Sequence, residues 1–413
     1  MRSDADDPGA TLGAQRSADP LHPLHGGSPS PPLTERIESI DALRGFALVG
    51  ILFINITSMG GPIESERPAA PPSLGDPDWL VWLFGHLFVY GSMRGIFSML
   101  FGASALLFLR EPSRSRGLFL RRCFWLFGFG MLNATVLLWP GDILMIYAVA
   151  APVVLLFLDA PPRRLIVVAL ALLSVLSVGM YVVLASAPAD ATAGAVEAAG
   201  LADALAREQS ARLGGYLDNL RFMSATSVDW TLSPFTLYWI IDAAAFMLIG
   251  MALFRAGILS GSASTAVHRR LAVLGMGVGL PLRVWEALLI WQAGGDPPAL
   301  TMAVHQAGRL AMTLGWIGVF MLLWQRSPWR VLSAPLGALG RMAFTGYLAQ
   351  SVIAALIFSG FGLGLWNRLS WAQMWALVPV IMLPMSLACL VWLGKFRMGP
   401  LEWVWRRLTF RDR

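Results

Sequence analysis

Apolar stretches about as long as a bilayer is thick recur along this chain, and they constrain its fold more than any other feature. A spanning helix needs about 20 mostly apolar residues at about 1.5 Å rise each. Stretches of that kind occupy 38–59, 79–110, 119–138, 141–158, 163–187, 234–258, 270–292, 299–323, 336–359 and 371–394. In lipid the backbone must satisfy its own hydrogen bonds, so each stretch is expected to be helical. The fold class that follows is all-α, a polytopic membrane bundle of about ten transmembrane helices. Only 14% of the residues are charged, against roughly 25% in a soluble domain. Mean hydropathy is +0.62, which does not suit a water-soluble surface.

Two stretches need comment. The segment 79–110 is too long for one straight crossing, and it is expected to comprise an interfacial part, 79–91, a break near Gly91-Ser92, and a span. Pro281 removes a backbone donor inside the seventh stretch and should bend it. Residues 1–34, rich in Pro, Gly, Ser and Asp, offer nothing to bury and read as a disordered arm. The arm has no apolar core of the signal-peptide kind, so the first helix is expected to act as its own insertion signal. The domain that follows runs over 35–395, with one long loop at 188–233 and an interfacial tail at 396–413. In the loop, Leu213, Tyr216, Leu217 and Leu220 recur at helical spacing. They suit an amphipathic helix on the membrane surface or a lid over a site.

The net charge of +6 is not a nucleic-acid footprint, because the cations sit in the short connections. Of the 31 Lys and Arg residues, 22 fall in or beside the loops of one side, 5 on the other, and four (Arg44, Arg94, Arg283, Arg309) deeper inside apolar stretches. Cations favour the cytoplasmic side, so both termini are expected inside, in a multi-pass protein of the inner (cytoplasmic) membrane. The lipid bilayer is then its first partner; a homo-oligomer is compatible with this layout, and nucleic acid is not. Cys123 and Cys389 lie in or at the end of apolar stretches and form neither a disulfide framework nor a metal site.

Ionisable groups inside spans are expensive and mark sites by default. Here they are Asp41, Arg44, His86, Arg94, Asp142, Asp242, Arg283, Glu286, His305 and Arg309. Asp41 and Arg44 fall in the cytoplasmic half of the first helix. His86, Arg94, Asp142, Arg283, Glu286, His305 and Arg309 map to outer halves, with Asp242 nearer the middle, which suggests a polar cavity opening outward. Asn55, His86, Arg94 and Asp142 are expected to line it together, with Arg44 on a separate cytoplasmic cleft. Asp41–Arg44 and Arg283–Glu286 are three apart and His305–Arg309 four apart, so each pair shares a helix face. Mutual neutralisation inside the bundle explains such pairs as well as chemistry does. His86 is a candidate general base or an interfacial histidine, and Asp142 is a candidate catalyst or an N-cap. No Gly-rich phosphate loop, nucleophile elbow or His-Glu-x-x-His motif is present, and no metal is implied.

Five ordered segments carry a resemblance. They are Arg36 to Asn55 with its Asp41-Ala42-Leu43-Arg44-Gly45 core; Phe97-Ser98-Met99-Leu100-Phe101-Gly102; Gly141-Asp142-Ile143-Leu144-Met145-Ile146-Tyr147; Gly340 to Ser351; and Phe396 to Arg406. Together they resemble the YeiB-like membrane proteins, domain-of-unknown-function family 418, over nearly everything from 36 to 410. That family is similar to a wider group of transmembrane acyltransferases, including heparan-α-glucosaminide N-acetyltransferase. In the wider group an Arg-Gly pair begins the first helix and a polar residue follows the Arg by eleven positions; Arg44 and Asn55 keep that spacing. The resemblance implies that Arg44 faces a cytoplasmic acyl-CoA donor and Asn55 an outer reaction centre. The acetyltransferases use a histidine in the loop soon after that asparagine; 56–78 contains none, and His86 is the nearest. The tail pair Glu402 and Arg406, four apart, is expected to bridge within an interfacial helix that is not part of a site.

The function expected from these observations is acyl transfer from a cytoplasmic donor to an extracytoplasmic small-molecule, lipid or glycan acceptor. His86, Asn55 and Asp142 are the candidate catalytic residues, and Arg44, Arg94, Arg283, Glu286, His305 and Arg309 the candidate substrate-binding ones. The alternative is a small-molecule transporter or exporter using the buried charges as a proton pathway, and a third reading is a membrane scaffold.

Overall fold

The computed structural model describes residues 38–63, 65, 67–186, 191–326, 328–329 and 333–410, and of 191–199 the backbone alone. The arm at 1–34 lies outside the described residues. Every described apolar stretch is helical: α1 (Glu38–Gly60), α2 (Pro77–Phe88), α3 (Ser92–Leu109), α4 (Arg116–Thr135), α5 (Ile143–Ala150), α6 (Val153–Leu156) and α7 (Pro162–Ala185). The loop and second half supply α8 (Ala191–Leu213), α9 (Tyr216–Leu232), α10 (Pro234–Arg255), α11 (Thr265–Gln292), α12 (Leu300–Trp324), α13 (Ala334–Arg341), α14 (Ala343–Phe358), α15 (Trp371–Lys395) and α16 (Pro400–Thr409). No strand occurs among the described residues.

Local sequence sets the helix ends. Asp76 Oδ1 accepts from Asp78 N at 2.9 Å to start α2. Ser370 and Gln373 form a reciprocal capping box at the start of α15. Between α2 and α3 the chain turns at Gly91, whose φ of 75° lies in the left-handed region that favours glycine. The break expected near Gly91-Ser92 is therefore present, and one face of α2 is packed into the bundle while Leu80 and Phe84 are exposed. Trp79, Trp82, Gly85 and His86 are buried, and α2 packs on α11 and α15.

Seven helices, counting α2 and α3 as one 33-residue segment, are long and apolar enough to cross a membrane. An eighth candidate is the pair α13–α14, bent by 89° at its break. The stretch expected as one helix over 336–359 is thus two. Of the other two expected spans, α4 carries Arg116, Arg121 and Arg122 in its first two turns, and Pro152 interrupts 141–158 between α5 and α6. Apolar side chains on α7, α11 and α15 point away from the bundle: Val175, Leu274, Val380 and Val391 are each more than half exposed. A belt of that kind is stable against lipid and not against water, so the chain is a multi-pass helical membrane protein.

Tertiary hydrogen bonds sort the connections into two faces. On one, the arginine-rich face, Ser39 Oγ reaches Leu259 O, Arg255 donates to Leu158 O and Ala160 O, Thr265 Oγ1 meets Gln325 Oε1 at 2.8 Å, and Trp405 Nε1 donates to Arg122 O. On the other, Asn367 N donates to Gly60 O at 2.7 Å, Arg212 Nη2 to Met59 O at 2.5 Å, and Ser227 Oγ to Ala134 O at 3.1 Å. Small residues let backbones close up between the faces. A Cβ on Gly340 would overlap the Asp41 carbonyl, and one on Gly275 would overlap Gly315. The first contact joins α1 to α13 beside Arg44; the second joins α11 to α12 and sets Glu286 opposite His305.

Candidate functional site

A slot of about 250 Å³ opens among α1, α3, α4, α5, α13, α14 and α16. Its α3 wall runs from Phe97 through Phe101, Ser104 and Ala105 to Phe108. Those eleven positions span about 16 Å of helix, half the hydrocarbon thickness. Arg44, Arg122, Arg341, Glu402 and Trp405 line the end at the arginine-rich face, and Leu144, Tyr147 and Tyr347 the deep end. Arg44 is thus in a cleft on the expected face. Its Nη1 donates to Asp41 Oδ1 and its Nη2 to Ser104 Oγ, both at 2.9 Å. The Asp41–Arg44 pair expected from spacing is formed.

The tail helix α16 was expected to sit apart from any site; instead it is a wall of this one. Glu402 does not bridge to Arg406. Its Oε1 accepts from Phe344 N at 2.9 Å and Thr345 N at 3.0 Å, and its Oε2 from Thr345 Oγ1 at 2.5 Å. These are the free donors at the start of α14, and a carboxylate there satisfies several at once. Desolvation raises the Glu402 carboxyl above its ordinary range, against the pull of those hydrogen bonds. Arg122 stacks over Trp405 at 3.7 Å from the ring centroid and faces Phe108 at 5.3 Å.

Deeper in, Tyr147 leads to the opposite half of the membrane. Its hydroxyl is 2.8 Å from Ser98 Oγ and 3.5 Å from Arg94 O. Arg94 Nη2 binds Asp242 Oδ2 at 2.9 Å, and Arg309 Nη2 and Gln306 Nε2 both donate to Asp242 Oδ1. Gln306 also bonds Tyr238 Oη at 2.8 Å. One turn along α12 from Arg309, His305 Nδ1 lies 2.8 Å from Glu286 Oε1. Arg283 Nη1 takes Glu286 Oε2 at 2.8 Å, while its other nitrogens donate to His86 O and Tyr90 O.

The candidate residues therefore separate into sets. His86, Arg283, Glu286 and His305 form one; Arg94 and Arg309 meet in a second around Asp242. Asp142 belongs to neither: its Oδ1 accepts from Asn133 Nδ2 at 2.8 Å and its Oδ2 from Met145 N at 2.9 Å, the N-cap arrangement. Asn55 shares none of these bonds, and its buried Nδ2 has no partner among the described residues. No contact joins Asn55, His86, Arg94 and Asp142 in the single group expected of them. His86 is buried and stacked on Trp82 at 5.0 Å, with Nε2 3.5 Å from Glu286 Oε2. His305 is the accessible histidine of the pair, its side chain 25% exposed.

Over the opposite face, α8 and α9 dock onto the bundle instead of lying free. The Glu208 carboxylate accepts from Ile63 N, and Arg212 donates to Met59 O. Gly360 N returns a bond to Arg212 O at 2.8 Å, and Ser359 Oγ meets Asn219 Oδ1 at 3.3 Å. Both charged side chains are buried, and burial pushes the Arg212 guanidinium down to about 10. Among the described residues, no cluster of His, Cys, Asp and Glu has a metal-holding arrangement.

Residues 253–412 match the family described as "Protein of unknown function (DUF418)". The chain is 28% identical to "Uncharacterized protein YeiB" of Escherichia coli (strain K12), over 91% of this chain and 97% of that protein. It is 27% identical to "Uncharacterized protein YxaH" of Bacillus subtilis (strain 168), over 92% and 96% respectively. The similarity thus runs through both the slot and the charged network.

Proposed function

Since the chain is a YeiB-like member of the DUF418 family, we propose that it is a membrane-embedded acyltransferase of the inner membrane, in a ten-span topology with both termini in the cytoplasm. The observation that carries this reading is the link between two unlike sites. A slot with an arginine mouth and mainly apolar walls ends at Tyr147, the Tyr147–Ser98 bond abuts the Arg94–Asp242–Arg309 set, and the His305–Glu286 pair lies one turn further along α12. The slot takes an acyl-CoA donor from the arginine-rich side; the acceptor, a small molecule or glycan, enters from the other. The base is His305 in place of His86. Its Nδ1 is held by Glu286 while Nε2 has no protein partner among the described residues, which is the geometry of an oriented base. His305 Nε2 takes the proton of the acceptor hydroxyl or amine. The acceptor heteroatom bonds to the acyl carbon, the carbon–sulfur bond breaks, and the proton passes to the departing thiolate. Asn55, with an unused amide donor, is suited to hold the developing oxyanion.

The test is transfer of label from radiolabelled acetyl-CoA, supplied on the arginine-rich side of proteoliposomes, to a panel of sugars and amino alcohols. H305Q should lower the rate by about 10²-fold or more, the scale of general-base catalysis, and H86N far less. Failure of the wild type to transfer or hydrolyse acyl-CoA would overturn the reading. Proton-coupled export is the second reading, favoured by the charges that continue past the slot to the opposite face. It requires a pH-gradient-dependent flux without acyl transfer.

A further inference from the structure

Among the described residues, the slot holds a cation with no carboxylate partner. Arg44 has Asp41, and Glu402 is occupied by the Phe344 and Thr345 donors. The Arg122 guanidinium has no carboxylate and no hydrogen-bond acceptor among the described residues; it rests only on the faces of Trp405 and Phe108. Its own backbone carbonyl is tied to Trp405 Nε1 at 3.0 Å, so stack and helix position are fixed together. A guanidinium withdrawn from water is costly unless paired. Aromatic stacking offsets part of that cost and leaves the edge of the fork, with its N–H donors, free.

We propose that Arg122 is the seat for a phosphate of an anionic amphiphile. In this arrangement Trp405 holds the guanidinium flat at the mouth of the slot, and the ligand's apolar arm lies along the Phe97–Phe108 wall. The proposal rests on reading the slot as a donor site and names the group that anchors the donor. Phosphate is favoured because Arg44 and Arg341 line the same mouth and make it strongly cationic, and fork-to-oxyanion pairing recognises phosphate in two-point fashion. The amphiphile follows from the walls, which are mainly apolar: Phe97, Phe101, Phe108, Phe119 and Phe344 line the interior and suit an apolar arm better than a nucleotide base. The volume agrees. At about 250 Å³ the slot lies below the roughly 300–1,000 Å³ of sites that enclose a whole drug-sized ligand. It suits the arm of a larger molecule whose bulk stays at the face. A coenzyme A thioester and an anionic phospholipid share this chemistry.

Two arms distinguish those sources. In the first, coenzyme A is titrated by calorimetry into full-length protein in neutral detergent. In the second, native mass spectrometry counts phosphatidylglycerol retained after extraction from nanodiscs. The comparison set is wild type, R122Q, R122K and R270Q, the last an arginine of the same face outside the slot. Wild type and R270Q should bind one of the two probes equally, R122Q at least tenfold more weakly, and R122K in between, because it keeps the charge and loses the fork and the stack. Should R122Q fail to fold, the R122K shift and its steeper salt dependence carry the same test. Equal affinity of wild type and both Arg122 variants would overturn the seat while leaving the donor slot standing. Arg122-dependent retention of phosphatidylglycerol without coenzyme A binding would keep the seat and overturn the acyl-CoA reading. Failure of both probes to bind wild type would overturn the seat.

Discussion

The two halves of this membrane bundle treat charge in opposite ways. Toward the face that α8 and α9 cover, the buried carboxylates of Asp242 and Glu286 are answered from within the chain: Asp242 by Arg94 and Arg309, Glu286 by Arg283 and His305. Toward the arginine-rich face, the slot is lined by three guanidiniums, and Arg122 is answered only by aromatic faces. A low-dielectric interior penalises unmatched charge wherever it lies. The difference therefore separates charge that ties helices together from charge held ready for something outside the chain. In the compensated half, acidic groups on α10 and α11 draw α3 and α12 inward. In the slot, the ligand is expected to complete the balance.

The most drastic way to break this comparison is to unbalance the compensated half. D242N keeps the shape and one acceptor but leaves Arg94 and Arg309 facing each other without a carboxylate. Removing one partner of a buried ion pair costs about 3–5 kcal/mol. D242N should therefore melt far below wild type in detergent, or fail to accumulate, whereas R122Q should melt close to it. Near-equal melting of D242N and wild type would show that the network is dispensable for folding and that the contrast between halves is not one of stability.

A smaller effect is expected at the lid. Arg212 supplies a charged donor to the last carbonyls of α1, and Glu208 accepts from Ile63 N. R212M keeps the apolar stem and removes the bond to Met59 O, leaving Glu208 without its neighbour. The local loss should be about 1–3 kcal/mol. Hydrogen exchange in α8 and α9 should then quicken by tenfold or more, while α11 and α12 stay protected. If exchange rose equally throughout, the lid would be one cooperative unit with the bundle and could not open alone.

How much of this was legible beforehand follows from how far each interaction reaches. Apolar length marked α1–α7 and α10–α15, though not α8, α9 or α16, and Gly91 marked a break, because both are properties of a few consecutive residues. Asp41–Arg44 and Arg283–Glu286 were legible because one turn of helix brings them together. The rest depends on packing. Arg94 meets Asp242 across 148 positions, and Arg122 meets Trp405 across 283, distances at which no periodicity operates. His86 and His305 could not be ranked as bases without knowing which one Trp82 buries. Asp142, already suspected of capping α5, is engaged in doing so. The α4 charges read as topology alone, yet Arg122 turns into the slot because the tail helix docks on α4. A Trp-x-Trp-Arg-Arg tail gives no local sign of that.

The smallest effect tests that docking through pH. Glu402 fastens α16 to Thr345 and Phe344, and desolvation raises its carboxyl above the ordinary 4.5. A carboxyl raised in the docked state binds its proton more tightly there than in the free tail. Docking is thus strongest below about 4.5 and weakens as pH rises through the higher docked value. A fluorophore attached through R407C, on the exposed side of α16, reports this without interference, since Cys123 and Cys389 are both buried. Anisotropy should fall as pH rises above about 4.5 in that protein and stay flat when E402Q is added, because glutamine cannot ionise. The change is expected to be a few-fold in the docked-to-free ratio, since the three hydrogen bonds to the carboxylate oppose the shift. Anisotropy that rises with pH would mean that those donors outweigh desolvation. Glu402 would then be a cap of the ordinary ionised kind, and the lining of the slot would carry a full negative charge of its own, narrowing the contrast between the two halves.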